Sequence, residues 1–179
     1  LMTERYDALN ILTRELMHDT ELFGELLPGT ADNPSISMRS IHHFFKSVSG
    51  QPLIRPAWYY DVEQQGEGIA DVTTHLIDLV FWQCFPEIPV HYESDVEVLS
   101  ASHWPTAVQP EDFRLSTGTE PFPSYLEKYL RDGVLEVMAN GRMLFRVKGV
   151  HVGMEVNWNW SSPNGEDAFS AVMRGSRAA

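Results

Sequence analysis

Asp71 and His75 stand four residues apart in the run VEQQGEGIADVTTHLIDL, Val62 to Leu79. At that spacing a carboxylate and an imidazole share one face of a helix. A carboxylate can orient the ring and stabilise the imidazolium that forms when the ring takes a proton, which is what general-base catalysis requires. A helix start also disfavours added positive charge, and the neutral imidazole is the proton-accepting form. The same spacing fits a bland alternative, in which Asp71 serves the helix dipole and the histidine is solvated or packed. Gly66 and Gly68 precede the pair and allow a sharp turn and a close approach of backbone to a ligand. They do not form the G-x-G-x-x-G dinucleotide fingerprint, because the third glycine and a βαβ setting are missing.

Other chemistries find less support. Cys84 is the single cysteine, so the chain has neither an internal disulfide nor a thiolate cluster. His42 and His43 are adjacent on an expected strand, where neighbours point to opposite faces, so they are not expected to chelate one ion, and no metal site is expected. His91, Glu93, Asp95 and Glu97 alternate and read as a solvated acidic face. No serine or cysteine lies in a nucleophile-elbow signature. Trp58, Tyr59, Tyr60, Glu63 and Gln64 lead directly into the glycine loop. Rings that stack on sugar faces and side chains that bond hydroxyls would suit a polyol pocket there, although core packing explains the aromatics equally well.

The elements that must position these groups follow from periodicity. Thr3–Met17 reads as an amphipathic helix with Thr3 as N-cap and Tyr6, Leu9, Leu12 and Leu16 as its stripe. Thr20–Leu26 reads as a short helix. Ser35–Val48 is rich in β-branched and aromatic residues and reads as a strand. The RPAWYYDV segment reads as a second strand or an extended segment, since Pro56 biases Arg55 away from helix. Helical period returns over Ile69–Gln83. Ile69, Val72, Leu76, Leu79 and Val80 form its apolar stripe, while Asp71, His75, Asp78 and Trp82 form another. Val90–Ser100 alternates as a half-buried strand, and Ser124–Arg131 suggests a short helix. The segment GVLEVMANGRMLFRVKG reads as a hairpin turning at Asn140-Gly141. Val150–Trp160 is a strand with Val150, Val152, Met154, Val156, Trp158 and Trp160 on one face. This order predicts an α+β fold, a largely antiparallel open sheet with helices packed on one face.

The 179 residues suffice for one domain, and 43% hydrophobic with 21% charged residues fits a globular chain. A net charge of −12 without a basic cluster argues against nucleic acid as a partner. The apolar runs are too short for a membrane-spanning helix. Both ends look cut from a longer polypeptide, so the compartment stays open.

The run GEGIADVTTHLIDL resembles the glycine-rich Asp-x-x-x-His segment in the C-terminal domain of the Gfo/Idh/MocA oxidoreductases, with Gly66, Gly68, Asp71, His75 and Asp78 in register. MTERYDALNILTRELMHDTELFGEL resembles the helix and turn by which that family's chain leaves its dinucleotide domain. AVMRGSRAA resembles a late strand start, and RPAWYYDVEQQGEG resembles a subgroup of oxidoreductase C-terminal domains. The resemblance implies that residues 1–179 form the substrate-binding and oligomerisation half of a nicotinamide-dependent enzyme acting on a sugar or polyol. A Rossmann domain would lie upstream of residue 1. His75 would be the base and Asp71 its hydrogen-bonding partner. Trp58, Tyr60, Glu63, Gln64, Gly66, Glu67 and Gly68 would form the substrate pocket. NAD or NADP would bind the parent enzyme, with none expected on this segment alone, and the open sheet face would pair with a second copy. The chain departs from the family pattern at Glu67, which breaks a run of three glycines, at Thr73, where a small residue is usual, and in lacking a Glu-Lys-Pro run. The rival reading is a non-catalytic carbohydrate-binding or assembly module that kept the fold.

Overall fold

A computed structural model describes residues 3–161 and 167–178. A 3-10 turn, Thr3–Tyr6, leads into helix α1, Ala8–His18. Strand β1 is Ile36–Phe45, followed by a small hairpin of β2, Ser47–Val48, and β3, Gln51–Pro52. A 3-10 turn at Ala57–Tyr60 precedes the short helices α2, Val62–Gln65, and α3, Gly68–Asp71, and the longer α4, Thr73–Cys84. Then come α5, Tyr92–Asp95, β4, Val96–Val108, and α6, Pro110–Thr117. A 3-10 turn at Ser124–Tyr129 and β5, Leu130–Arg131, lead to β6, Val134–Val147, β7, Val150–Ser161, and β8, Ala168–Met173.

The main sheet runs β4-β6-β7-β1-β8, with β5 beside β6. All its pairs are antiparallel except β1 with β7, which run parallel. The long excursion from β1 to β7 carries the helices over one face. Ile36, Met38, Phe44, Val152, Met154, Val156 and Trp158 from that face meet Leu76, Leu79 and Val80 of α4 in the core. The architecture is therefore the expected α+β open sheet, and the alternating stripe of β7 is buried as its pattern demands. Among the described residues no helix is long and apolar enough to cross a membrane.

The Asn140-Gly141 turn does not exist. Both residues lie inside β6, which runs unbroken for 14 residues. The chain turns instead at Lys148-Gly149, both at positive φ (46° and 85°), the pattern of a two-residue type I′ loop, with Val147 opposite Val150. Asn140 has another task. The β6–β7 ladder ends at Gly141, and the β4–β6 register shifts between Trp104 and Thr106. The Asn140 side chain fills that gap. Its Oδ1 accepts from the Trp158 backbone N–H (2.7 Å), and its Nδ2 donates to the Trp104 carbonyl (3.1 Å) and Thr106 Oγ1 (2.8 Å). Asn140→Ala strands the Trp158 N–H and the Trp104 carbonyl, so it should destabilise by about 2 kcal/mol or more. Denaturant midpoints would show this as a clear drop at unchanged slope.

Gly141 is required for a packing reason: a Cβ there would lie 2.6 Å from the Ile69 Cβ. Gly68 is tighter still, since a Cβ would fall 1.7 Å from the Ala139 carbonyl oxygen. These two glycines let α3 lie directly on β6.

Other expectations shift. The N-cap of α1 is Asp7, whose carboxylate accepts from the Leu9 and Asn10 N–H groups, rather than Thr3. Residues 20–26 form turns rather than helix, and Ala57–Tyr60 is a 3-10 turn rather than a strand. The strand expected at 90–100 starts at Val96 and runs on to Val108 at the sheet edge, mostly exposed. Its alternation therefore does not bury a face. The helix α6 gave no periodic signal over its 8 residues.

The apolar stripe of α1 faces outward, with Leu9 73% and Leu12 52% exposed. Apart from Met17, which joins the core, the inner contacts of this segment are largely polar. The Arg5 guanidinium grips Asp78 through two hydrogen bonds. Arg14 stacks over the Trp82 ring at 5.2 Å, and His18 Nε2 meets the Gln83 carbonyl at 2.9 Å. Most of the second stripe of α4 is thus occupied by the N-terminal segment.

Candidate active site

The helix that carries the opening motif is broken. Residues 68–71 form one short helix and residues 73–84 another, longer one, with Val72 between them. The His75 N–H reaches back only three residues to the Val72 carbonyl (3.1 Å), and Thr74 Oγ1 bonds the Asp71 carbonyl (2.8 Å). Asp71 and His75 nonetheless line one cleft of about 830 Å³, a size suited to a small molecule. They are not each other's hydrogen-bond partner. His75 Nδ1 meets Glu4 Oε2 at 3.0 Å, while Asp71 Oδ2 accepts from Gln65 Nε2 at 3.3 Å. Glu4 arrives with the N-terminal turn, so the carboxylate that orients the ring lies 71 residues from it in sequence.

Across the cleft stands a group of residues from the end of β1 and the start of β8. Because β8 pairs only as far as Ile41, the next residues of β1 have an open edge, and Asp167 sits there. Its carboxylate receives Lys46 Nζ and faces both His42 Nδ1 and His43 Nδ1, each at 3.2 Å. The adjacent histidines thus do converge, on a carboxylate at the sheet edge. Among the described residues no three His, Cys, Asp or Glu side chains are disposed to hold a metal ion. The back wall is aromatic. Trp158 stacks on His42 (4.8 Å between centroids, 22°), and the Arg55 guanidinium lies 4.2 Å from the Tyr59 ring centre. Arg55 is fixed by the carbonyls of His43 and Phe44 (3.0 and 2.7 Å).

The electrostatics follow from burial. Burial lowers the pKa of His42 below its ordinary value, and the Asp167 charge opposes this only in part. Burial also raises the Asp167 carboxyl, but Lys46 and the two histidines outweigh it and hold it low. Burial pushes the Tyr59 phenol up to about 12 despite Arg55. A depressed histidine contributes stability that is complete above its unfolded value, about 6.5, and lost as pH falls through the folded value. Asp167 extends that loss to lower pH, below the ordinary carboxylate range. Urea midpoints should therefore decline from pH 7.5 to pH 5, and His42→Gln should flatten the slope across this interval.

The residues expected to form the substrate pocket lie elsewhere. Tyr60 is fully buried, with its hydroxyl on Ser116 Oγ at 2.5 Å. Trp58 is 44% exposed outside the cleft. Glu63 pairs with Lys128 at 2.6 Å, and Gln64 caps Asp61 at 2.7 Å. Glu67 pairs with His103 at 2.7 Å. Gly66, at φ +92°, and Gly68 border a small recess on the far side of Asp71 and Tyr59. Among the residues that join Asp71 and His75 in the cleft are Ser40, His42, Lys46, Arg55, Tyr59, Trp158 and Asp167. Of these only Tyr59 stood in the aromatic run read as a pocket. No local signal marks the others, because they meet through the pairing of β1 with β7 and β8.

The open α+β sheet with helices on one face is consistent with the C-terminal domain fold of the Gfo/Idh/MocA-type oxidoreductases. The chain belongs to the family described as "Putative oxidoreductase C terminal domain", whose model matches residues 12–179. An oxidoreductase of that description from Parabacteroides merdae ATCC 43184 is 44% identical, with a TM-score of 0.95 over 98% of this chain. The chain spans 40% of that protein's length. Two more distant structures share the fold. One is described as a myo-inositol dehydrogenase from Sinorhizobium meliloti 1021 (13% identity, TM-score 0.52, 99% of this chain and 39% of that one). The other is GenD2 from gentamicin A biosynthesis, in complex with NAD (14%, 0.54, 99% and 37%). No curated protein matches the sequence.

Proposed function

We propose that this chain is the substrate-binding half of an NAD(P)-dependent oxidoreductase that oxidises a sugar or polyol hydroxyl, or reduces the corresponding carbonyl. The observation that carries this reading is the convergence of Asp71, His75, His42 and Lys46 against the Tyr59/Trp158 wall in one cleft, in a member of an oxidoreductase family. Imidazole and carboxylate groups can bond several hydroxyls at once, and the aromatic wall suits the C–H face of a sugar ring. The sequence lacks a phosphate-cradling glycine loop, so what these residues fit is the reacting end of the cofactor and not its phosphates. A nicotinamide brought to the cleft would supply the hydride acceptor. His75, held at Nδ1 by Glu4, would take the hydroxyl proton at Nε2, and Asp71 would hold the same hydroxyl. The related dehydrogenase and NAD-bound structures support the cofactor and substrate class as expectations for the full polypeptide.

The direct test is to screen aldoses and inositols with NAD and NADP on the full-length protein, reading nicotinamide absorbance. Turnover of a polyol is expected. Sugar binding without turnover of any of them would favour the non-catalytic module.

The same reading assigns the uncovered sheet face to a second copy of the chain. That face carries a shallow groove of about 580 Å³ crossed by Arg39, Arg142, Glu155, Leu144 and Val172, and Arg39 pairs with Glu155 at 3.3 Å. Pairing by a twofold axis is the commonest arrangement. Light scattering should report a dimer or larger, and Leu144→Asp should yield monomers. A monomeric wild type would remove this assignment.

A further inference from the structure

We propose that Ser40, His42 and Asp167 form a second proton-transfer unit in the cleft, in which the Ser40 hydroxyl passes a substrate proton to His42. The inference rests on the oxidoreductase reading and competes with His75 for one assignment in it, namely which imidazole receives the hydroxyl proton.

Two contacts and one placement carry it. His42 Nδ1 lies 3.2 Å from Asp167 Oδ2, and His42 Nε2 lies 2.7 Å from Ser40 Oγ. Both Ser40 and His42 line the cleft. Asp167 is ionised and can only accept, so the proton of neutral His42 sits on Nδ1. Nε2 is then the acceptor, and Ser40 must donate to it. The Ser40 oxygen keeps its remaining lone pair for a proton arriving from a bound hydroxyl. Burial of His42 favours the neutral, accepting form. The charged and titratable groups around it are Asp167 and Lys46 at the sheet edge and Asp71 from α3.

The order serine–imidazole–carboxylate also occurs in acyl-transfer enzymes, but attack by Ser40 does not fit. As far as Ile41, β1 is paired on both sides, with β7 and β8, so the backbone N–H groups around Ser40 are spent in the ladders and cannot stabilise an oxyanion. A hydroxyl recessed in a doubly paired strand can still hand on a proton. The balanced step is this: the substrate O–H gives its proton to Ser40 Oγ as Ser40 gives its own to His42 Nε2. The O–H electron pair becomes the second bond of the new carbonyl, and the C–H pair leaves as hydride to an oxidised nicotinamide. The imidazolium is then held by Asp167.

The test uses the full-length protein with ring-nitrogen NMR of its histidines, which needs neither substrate nor cofactor. At pH 7.5 His42 is expected neutral with its proton on Nδ1. Asp167→Asn should redistribute that tautomer, and Ser40→Ala should shift the Nε2 resonance toward that of an unbonded imidazole. With a polyol and NAD(P), Ser40→Ala should lower kcat by about 10²-fold at little changed KM and unchanged melting, with partial rescue by Ser40→Thr. A proton on Nε2 of His42 in the wild type, or full turnover by Ser40→Ala, overturns the relay. The second result together with a large loss in His75→Ala would leave the oxidoreductase reading intact. If His75→Ala also turns over normally, the assignment of His75 as base fails on its own, whereas no turnover of any polyol by the wild type removes the oxidoreductase reading and leaves the tautomer to decide whether the hydrogen-bonded unit exists.

Discussion

His75→Ala in the full-length enzyme is expected to lower kcat by about 10²–10⁴, the usual contribution of a general base. The domain should still fold. His75 is 38% exposed and its pairing with Glu4 is half-exposed on both sides, so losing it costs at most about 1 kcal/mol. The apolar contacts of α4 come from Leu76, Leu79 and Val80 on another face. Asp71→Asn should also lower kcat, and the double variant should be far from additive, because both groups act on one hydroxyl. Glu4→Gln separates two ideas that the sequence had merged. If the ring needs its carboxylate, turnover falls in Glu4→Gln even though Asp71 is intact. Steady-state kinetics with circular dichroism as the folding control decides this. Near-normal turnover in His75→Ala would make the residue structural and pass the role of base to another group of the cleft.

Gly68→Ala is the variant expected to harm stability most. Its Cβ would stand 1.7 Å from the Ala139 carbonyl oxygen, and a backbone atom cannot swing aside. α3 would have to lift off β6, at a cost of about 3 kcal/mol or more. For a chain of this size that lowers Tm by roughly 6–12 °C. Gly141→Ala should cost less, since its closest approach, 2.6 Å to the Ile69 Cβ, is wider than the 1.7 Å at Gly68, although rotation of the Ile69 side chain does not relieve it. Gly66→Ala meets no atom within 4 Å and carries only the strain of φ +92°. Thermal melts of the three should therefore rank 68, then 141, then 66. A Gly68→Ala protein that melts within 2 °C of wild type would show that α3 is not seated as described.

Sequence reasoning reached the strands and helix whose patterns are local. β7 alternates over its full length because one face meets the helices, and the α4 stripe repeats because Leu76, Leu79 and Val80 meet the sheet. It failed where a residue type serves two purposes. Asn-Gly is a turn signal, yet Asn140 bridges three strands and Gly141 makes room for Ile69. The glycines at 66 and 68 looked like an opening for a ligand, but Gly68 is there for packing. In the cleft, Asp71 and His75 were marked by their spacing together with the family resemblance, and spacing alone fitted a structural role as well. Their partners Glu4 and Gln65 were not marked, nor was the group around Asp167, since lone polar residues carry no periodicity. The stripe of α1 was read correctly as apolar and amphipathic, but its direction was not legible, because Arg5 and Arg14 hold the helix by its polar side.

The parallel pairing of β1 with β7 has a consequence in time. β1 ends at Phe45 and its partner begins at Val150. During synthesis, at roughly 5–20 residues per second, β1 emerges on the order of ten seconds before the strand it must join. Closing so long a loop is also the slow step in refolding. The β4, β6 and β7 strands are neighbours in sequence and can assemble without β1. His42 and Lys46 are carried by β1 and its end, whereas Trp158 and Asp167 belong to the late strands. The cleft therefore closes in the same event that completes the sheet, and a chain arrested before that event would have secondary structure but no site.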